Sequence, residues 1–192
     1  IQLAAQFEEN EQYQEAYEEY KKSYEKSPKD LSILERLGHI AMVLDKKDEA
    51  AEYYSKILEF DATNPTAYEQ LMDIYISTDK YKYYIYRGNR HSIEHQLEHA
   101  INDYKKALAH TQDEKQIVMT RFTIATLYEQ TNSPMKAIDE YLKVLEYEES
   151  HEEIFLKLAN LYLKEDAQTS AIDILERGIK KGYTSSKMKE TL

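Results

Sequence analysis

The sequence predicts an all-α fold, a solenoid of stacked helix pairs, from a ladder of small residues, a doubled helical stripe within each rung and a helix-rich composition. Ala16, Ala50, Ala100, Ala137 and Ala171 are each followed four residues later by a large apolar residue: Tyr20, Tyr54, Tyr104, Tyr141 and Leu175. The intervals along the ladder are 34, 50, 37 and 34 residues. One 34-residue unit explains them if the third unit carries 16 extra residues and the next junction three. Within a unit the apolar face changes, as in Leu34, Leu37, Gly38 and Ala41 followed by Ala50, Tyr54, Ile57 and Leu58, so each unit holds two amphipathic helices. Four glycines and three prolines among 192 residues leave long stretches uninterrupted.

Taken in order, the units read as residues 1–30, truncated at its start, then 31–64, 65–114, 118–151 and 152–185 of a single array spanning 1–192. Leu3, Ala4 and Phe7 read as the tail of a first helix, and residues 186–192 as the start of a cap or a further helix, so a longer native protein is expected. The first-helix stripe returns as Tyr68, Leu71, Met72 and Tyr75, as Ile124, Ala125 and Tyr128, and as Phe155, Leu158, Ala159 and Tyr162. Gly38 and the alanines let neighbouring helices approach closely. Most of the 18 tyrosines then fill a shallow core, ring inward and hydroxyl toward water. Boundary signals keep the same phase: Pro28 and Pro65 follow second helices, Asn64 and Ser133 stand as caps before proline, and Ser150 with Glu153 forms a capping box.

The small, Leu, small, Tyr and Ala-x-x-x-aromatic positions just quoted resemble the tetratricopeptide repeat family over about nine-tenths of the chain. The resemblance implies a right-handed α-solenoid of about five helix-turn-helix repeats, the third carrying an insertion. Departures are Arg121 at a usual aromatic position, Ala41 where Tyr is typical, Gly178 late in the last second helix and the long third unit. A pentatricopeptide RNA reader would repeat at one residue more and carry a basic face, against both the period and the net charge of −11.

In the resembled family first helices line a concave groove that holds an extended partner segment. Matched positions here are Glu35, Arg36, His39, Met42 and Val43, then Glu69, Gln70, Asp73 and Ile76. They continue with Met119, Phe122, Thr123, Thr126 and Glu129, then Glu153, Lys157 and Asn160. This lining is acidic with an apolar middle, suiting a protein or peptide partner whose apolar anchors are flanked by Lys or Arg. One subgroup of the family grips a C-terminal carboxylate through Lys, Asn and Arg side chains on three first helices. The matched positions hold Ile1, Ala5, Arg36, Thr66 and Gln70 in one window, and Glu69, Asp73, Thr123, Glu153 and Lys157 in the other, so no such clamp is expected.

The extra residues read as an insertion near 82–97 between the two helices of the third unit. Arg87-Gly88-Asn89 has turn composition, and Asn89 or Ser92 would cap a lengthened second helix reaching about His110. Tyr81, Tyr83, Tyr84, Ile85 and Tyr86 then fall on a loop or strand-like arm that either packs over the adjacent convex or edge surface, the preferred reading, or offers Tyr83, Tyr84, Tyr86 and Arg87 as contact residues for a partner or for self-association. His91, His95 and His99 stand four apart, and with Glu94 and Glu98 they match a short inverted zinc-protease pattern twice. Two imidazoles on successive turns chelate zinc readily, yet catalysis needs a third ligand and a walled cleft, so a plain polar face is preferred to a metal site.

Composition narrows the function classes further. A net charge of −11 disfavours nucleic acid, whose affinity comes from Lys and Arg on phosphates. No apolar run approaches the roughly 18 residues of a spanning helix, so no direct membrane insertion is expected. No charged-then-apolar leader opens the chain, which favours the cytoplasm, although trimming would remove a leader and localisation stays open. Zero cysteines exclude disulfides, thiolate metal sites and a cysteine nucleophile. With no glycine-rich phosphate loop or nucleophile elbow either, the expected function is a non-catalytic protein-interaction scaffold without a cofactor. The alternative is a structural or oligomerisation arm of a larger enzyme or secretion assembly, touching through the tyrosine-rich insertion.

Overall fold

The structure, a computed structural model, describes residues 1–147 and 152–183. The Ser150 capping box and the final segment 186–192 lie outside the described residues. Among those described, every regular element is a helix: α1 (Gln2–Glu9), α2 (Tyr13–Lys26), α3 (Leu31–Val43), α4 (Lys47–Phe60), α5 (Pro65–Tyr75) and α6 (Lys80–Ile93). They continue with α7 (Leu97–Leu108), α8 (Glu114–Gln130), α9 (Pro134–Val144), α10 (Glu152–Lys164) and α11 (Gln168–Lys180). The chain forms two compact units, residues 1–96 and 97–192. Within each, every helix packs on its neighbours in the chain, α1 through α6 in the first and α7 through α11 in the second.

The alanine ladder sits in the core of both units. Its five alanines are at most 1% exposed, and the large residues four positions on are at most 4% exposed. Close approach explains the small residues: a Cβ added at Gly38 would lie 2.8 Å from the Tyr54 ring, inside contact distance. Around the ladder, Leu34, Leu37, Ile57 and Leu71 in the first unit and Ile124, Leu158 and Val144 in the second are fully buried. Each such side chain contributes about 1.5–3 kcal/mol through apolar burial.

Two local signatures mark where helices start and turn. Asp30, Asn64, Asp79 and Asp113 accept N–H bonds at the starts of α3, α5, α6 and α8; Asn64 Oδ1, for example, takes the Ala67 N–H at 2.9 Å. Glu11, Asp45, His95, Asn132 and Asp166 adopt left-handed backbone, with φ between 51° and 59°. Each stands five residues before a ladder alanine. Each is followed by an N–H bonded back five residues at 2.8 Å: Gln12 to Phe7, Lys46 to Ala41, Gln96 to His91, Ser133 to Tyr128 and Ala167 to Tyr162. This is the Schellman closure, made here without glycine.

These signatures correct the reading of the long third interval. Tyr81 to Tyr86 is not a loop or strand-like arm, and Arg87-Gly88-Asn89 is not a turn: all lie within α6, where Gly88 is buried. The second helix does not run from Asn89 or Ser92 to His110; α7 starts at Leu97 and ends at Leu108. A lone glycine costs a helix only about 1 kcal/mol relative to alanine. Here the Asp79 cap and the packing of Tyr86 against Tyr75, rings parallel with centroids 5.8 Å apart, outweigh it. Asp79 precedes Asp113 by 34 residues, the interval from Asp30 to Asn64, whereas only α5 and its connection lie between Asn64 and Asp79. Ser133 also departs from expectation: it stands at the start of α9, but its hydroxyl donates back to the Thr131 carbonyl.

Tyrosines pack inward as expected, but several hydroxyls end on carboxylates rather than in water. Tyr17 donates to Glu49, Tyr20 to Glu8 at 3.1 Å and Tyr141 to Glu129 at 2.5 Å. Arg121, the polar residue at an aromatic position, reaches from α8 to the buried Glu140 of α9 at 2.8 Å, and Lys143 joins the same carboxylate at 3.0 Å. An ion pair there replaces ring packing, and losing one partner would strand a buried charge.

Burial raises the hydroxyl pKa of Tyr17, Tyr54 and Tyr141 above the ordinary 10.0, with hydrogen bonds to Glu49 and Glu129 adding to it for Tyr17 and Tyr141. Tyr54 is pushed up to about 12 by burial and then by the charge of Glu35. The neutral form is therefore favoured in the folded chain, and above pH 10 the unfolded chain holds fewer protons than the folded one. Urea midpoints should fall as pH rises through 10 toward 12, more shallowly in Tyr54→Phe. Tyrosinate absorbance and helical circular dichroism read the two changes. Removing the cap in Asn64→Ala should lower unfolding free energy by about 1 kcal/mol in urea titration, while Ser133→Ala, which removes no cap bond, should change it by less than about 0.5 kcal/mol.

Candidate partner-binding faces

In the first unit, α3 and α5 present Glu35, Arg36, His39 and Gln70 around one recess of about 290 Å³, completed by Ser32, Thr66 and the Tyr54 side chain. Helical spacing accounts for the arrangement, since positions three and four apart share a stripe. Glu8 of α1 organises one side: it accepts from Arg36 at 3.1 Å and from Tyr20 at 3.1 Å, with His39 Nδ1 at 3.8 Å. Glu69 turns to α6, where Arg90 lies 3.4 Å away and also holds Glu94 at 3.0 Å. Asp73 is exposed, as are Val43 and Ile76, whereas Met42 packs against the core.

In the second unit, α8 and α10 present a different surface. Phe122 stands edge-on to Tyr141, centroids 5.5 Å apart, and with Val118, Met119, Thr123, Glu153 and Ile154 it lines a mainly apolar recess of about 270 Å³. Met119 is 69% exposed, an apolar side chain that α8 leaves uncovered within its unit. Glu129 accepts from Tyr141 and, at 3.1 Å, from Lys157, whose ammonium also lies 5.8 Å from both the Phe122 and Tyr141 ring centres. Thr126 sits 3.2 Å from the Tyr141 hydroxyl. A second recess, of about 500 Å³, is lined by Glu129, Lys157, Asn160, Leu161, Leu163 and Lys164.

The first-helix positions that the family resemblance marks therefore include much of both surfaces, but among the residues they miss are Glu8, Tyr54 and Lys164. Glu8 and Tyr54 belong to neighbouring helices, so only their side-chain reach brings them in. Lys164 lies one helical turn beyond Asn160, and extending the stripe by that turn would have found it.

Of the residues assigned to the insertion, Tyr83 and Tyr84 meet at 5.2 Å between centroids, and the Arg87 guanidinium lies about 5 Å from each ring. Tyr86 instead packs on Tyr75 and approaches the Ser55 hydroxyl at 3.2 Å. The three histidines do not share one helical face: His91 is in the last turn of α6, His95 is in the left-handed turn and His99 is in α7. That turn breaks the 3.6-residue phase on which the four-residue spacing depends. No group of three or more potential metal ligands forms among the described residues. No helix of the described residues is long and apolar enough to cross a membrane.

Residues 8–82 match the family model for the tetratricopeptide repeat. Comparison with curated protein sequences gives no match. Among solved structures, the C-terminal part of a TPR repeat-containing protein from Cytophaga hutchinsonii is similar at 20% identity and a TM-score of 0.54, over 99% of this chain and 78% of that one. YrrB, described as a TPR protein with an unusual peptide-binding site, is similar at 15% identity and 0.51, over 89% and 96%. PilW, described as a widely conserved type IV pilus biogenesis factor, is similar at 14% identity and 0.52, over 98% and 94%. At these identities the likeness concerns the fold. Residues 8–82 therefore carry the tetratricopeptide-repeat pattern, and the chain as a whole shares the helical-repeat fold of these structures.

Proposed function

We propose that this protein is a non-catalytic interaction scaffold that binds a segment of a protein partner along its first-helix faces. Family and fold support the scaffold role. The observation that carries the finer reading is the α8–α10 surface, where exposed Met119 and half-buried Phe122 border a mainly apolar recess beside Glu153. An apolar side chain entering such a recess gains about 25 cal/mol for each Å² removed from water. The charge around it sets orientation and encounter rate more than strength. In the first unit, Glu8, Glu35, Glu69 and Asp73 outnumber Arg36 and Arg90 on or beside the corresponding surface, which supports a partner with Lys or Arg flanking its apolar anchors. The same alanine ladder runs through both units, and this supports treating residues 1–192 as one array.

The test is capture of native partners by wild type, by Phe122→Ala combined with Glu69→Lys, and by Tyr83→Ala combined with Tyr84→Ala, each with its melting curve as a folding control. The first double variant should bind at least about tenfold more weakly, as loss of a central aromatic anchor does, and the second should bind as wild type. Unchanged capture by the first variant would overturn the assignment. Loss confined to the second would move the working surface to α6.

A further inference from the structure

The two recesses on α8 and α10 differ in chemistry and stand at a fixed separation. One is bounded by Val118, Met119, Phe122 and Ile154 with a single carboxylate, Glu153. The other brings two ammonium groups, Lys157 and Lys164, and the Asn160 amide together with a single carboxylate, Glu129. In a chain of net charge −11, this is a local excess of positive charge. Lys157 joins the two recesses: its ammonium lies 3.1 Å from Glu129 in the second and 5.8 Å from the centre of the Phe122 ring in the first.

Phe122 and Glu129 are seven residues apart on α8, as are Ile154 and Leu161 on α10, so the recesses are offset by two helical turns, about 10 Å. An extended peptide advances about 3.3 Å per residue and covers that distance in about three residues. We infer that the α8–α10 face recognises a linear segment of mixed chemistry, a large apolar side chain seated beside Phe122 and an aspartate or glutamate about three residues away seated among Lys157, Asn160 and Lys164. The inference rests on the proposed binding role of this face and names the chemistry of its occupant. The apolar side chain is held by burial, and the acid is selected by charge and by the Asn160 donor. Glu129 holds Lys157 in place, so Lys164 is the group whose sign decides which charge the second recess accepts.

The test is selection from a displayed library of random linear peptides, each joined to its carrier through its C-terminus so that only side chains supply carboxylates. Wild type should enrich peptides with Leu, Met or Phe spaced about three residues from Asp or Glu. Both test positions are exposed, and melting curves confirm that each variant is folded. Met119→Lys should weaken capture of the enriched peptides at least about tenfold, and Lys164→Glu should replace the selected acid by Lys or Arg. Enriched peptides that lack the acid, or an unchanged selection by Lys164→Glu, would overturn the inference. Peptides indifferent to both substitutions but lost on Arg36→Glu would place binding on the first unit and leave the scaffold role standing. No enrichment over bare matrix would overturn both.

Discussion

Close helix approach at the small-residue ladder is the constraint on which the rest depends. Gly38 lies under the Tyr54 ring with no room for a Cβ, and the ladder alanines are at most 1% exposed. A helix held that near its neighbour brings backbone and rings into contact along its length, and dispersion summed over such contacts is large although each is small. The same proximity delivers Tyr54 from α4 to the recess between α3 and α5, and Tyr141 from α9 to the foot of Phe122. Core and candidate binding surface are thus two ends of the same side chains.

Tyrosine suits this arrangement where tryptophan or phenylalanine would not. Tyr17, Tyr20 and Tyr141 each bury a ring and spend the hydroxyl on a carboxylate from another helix. Each bond ties two helices while satisfying a donor that would otherwise be desolvated at a cost. Glu129 shows the further use of such a bond: held by Tyr141, it fixes the Lys157 ammonium between two rings and separates an apolar recess from a polar one.

Most of the fold was legible because small and aromatic residues recur at one interval, a pattern that survives replacement of any single member. Arg121 shows this, since an ion pair to Glu140 fills a position where a ring was expected and leaves α8 and α9 packed together. Legibility failed between Tyr81 and Leu97, where local composition pointed one way and packing the other. Arg87-Gly88-Asn89 has the residues of a turn yet sits mid-helix, while the turn at His95 lacks the glycine that usually announces one. At the candidate surfaces, Met119, Phe122 and Glu153 followed from the family resemblance, which marks the inward first-helix positions. Glu8 and Tyr54 did not, because they enter from adjacent helices through contacts that no single-helix periodicity encodes.

The five left-handed turns have an evolutionary corollary. Glutamate, two aspartates, histidine and asparagine occupy a backbone conformation that glycine adopts with less strain, so every repeat retains an unused increment of conformational ease. That reserve is independent of the buried ladder and of either recess. Selection could draw on it one turn at a time, offsetting destabilising changes on the exposed faces of the helices.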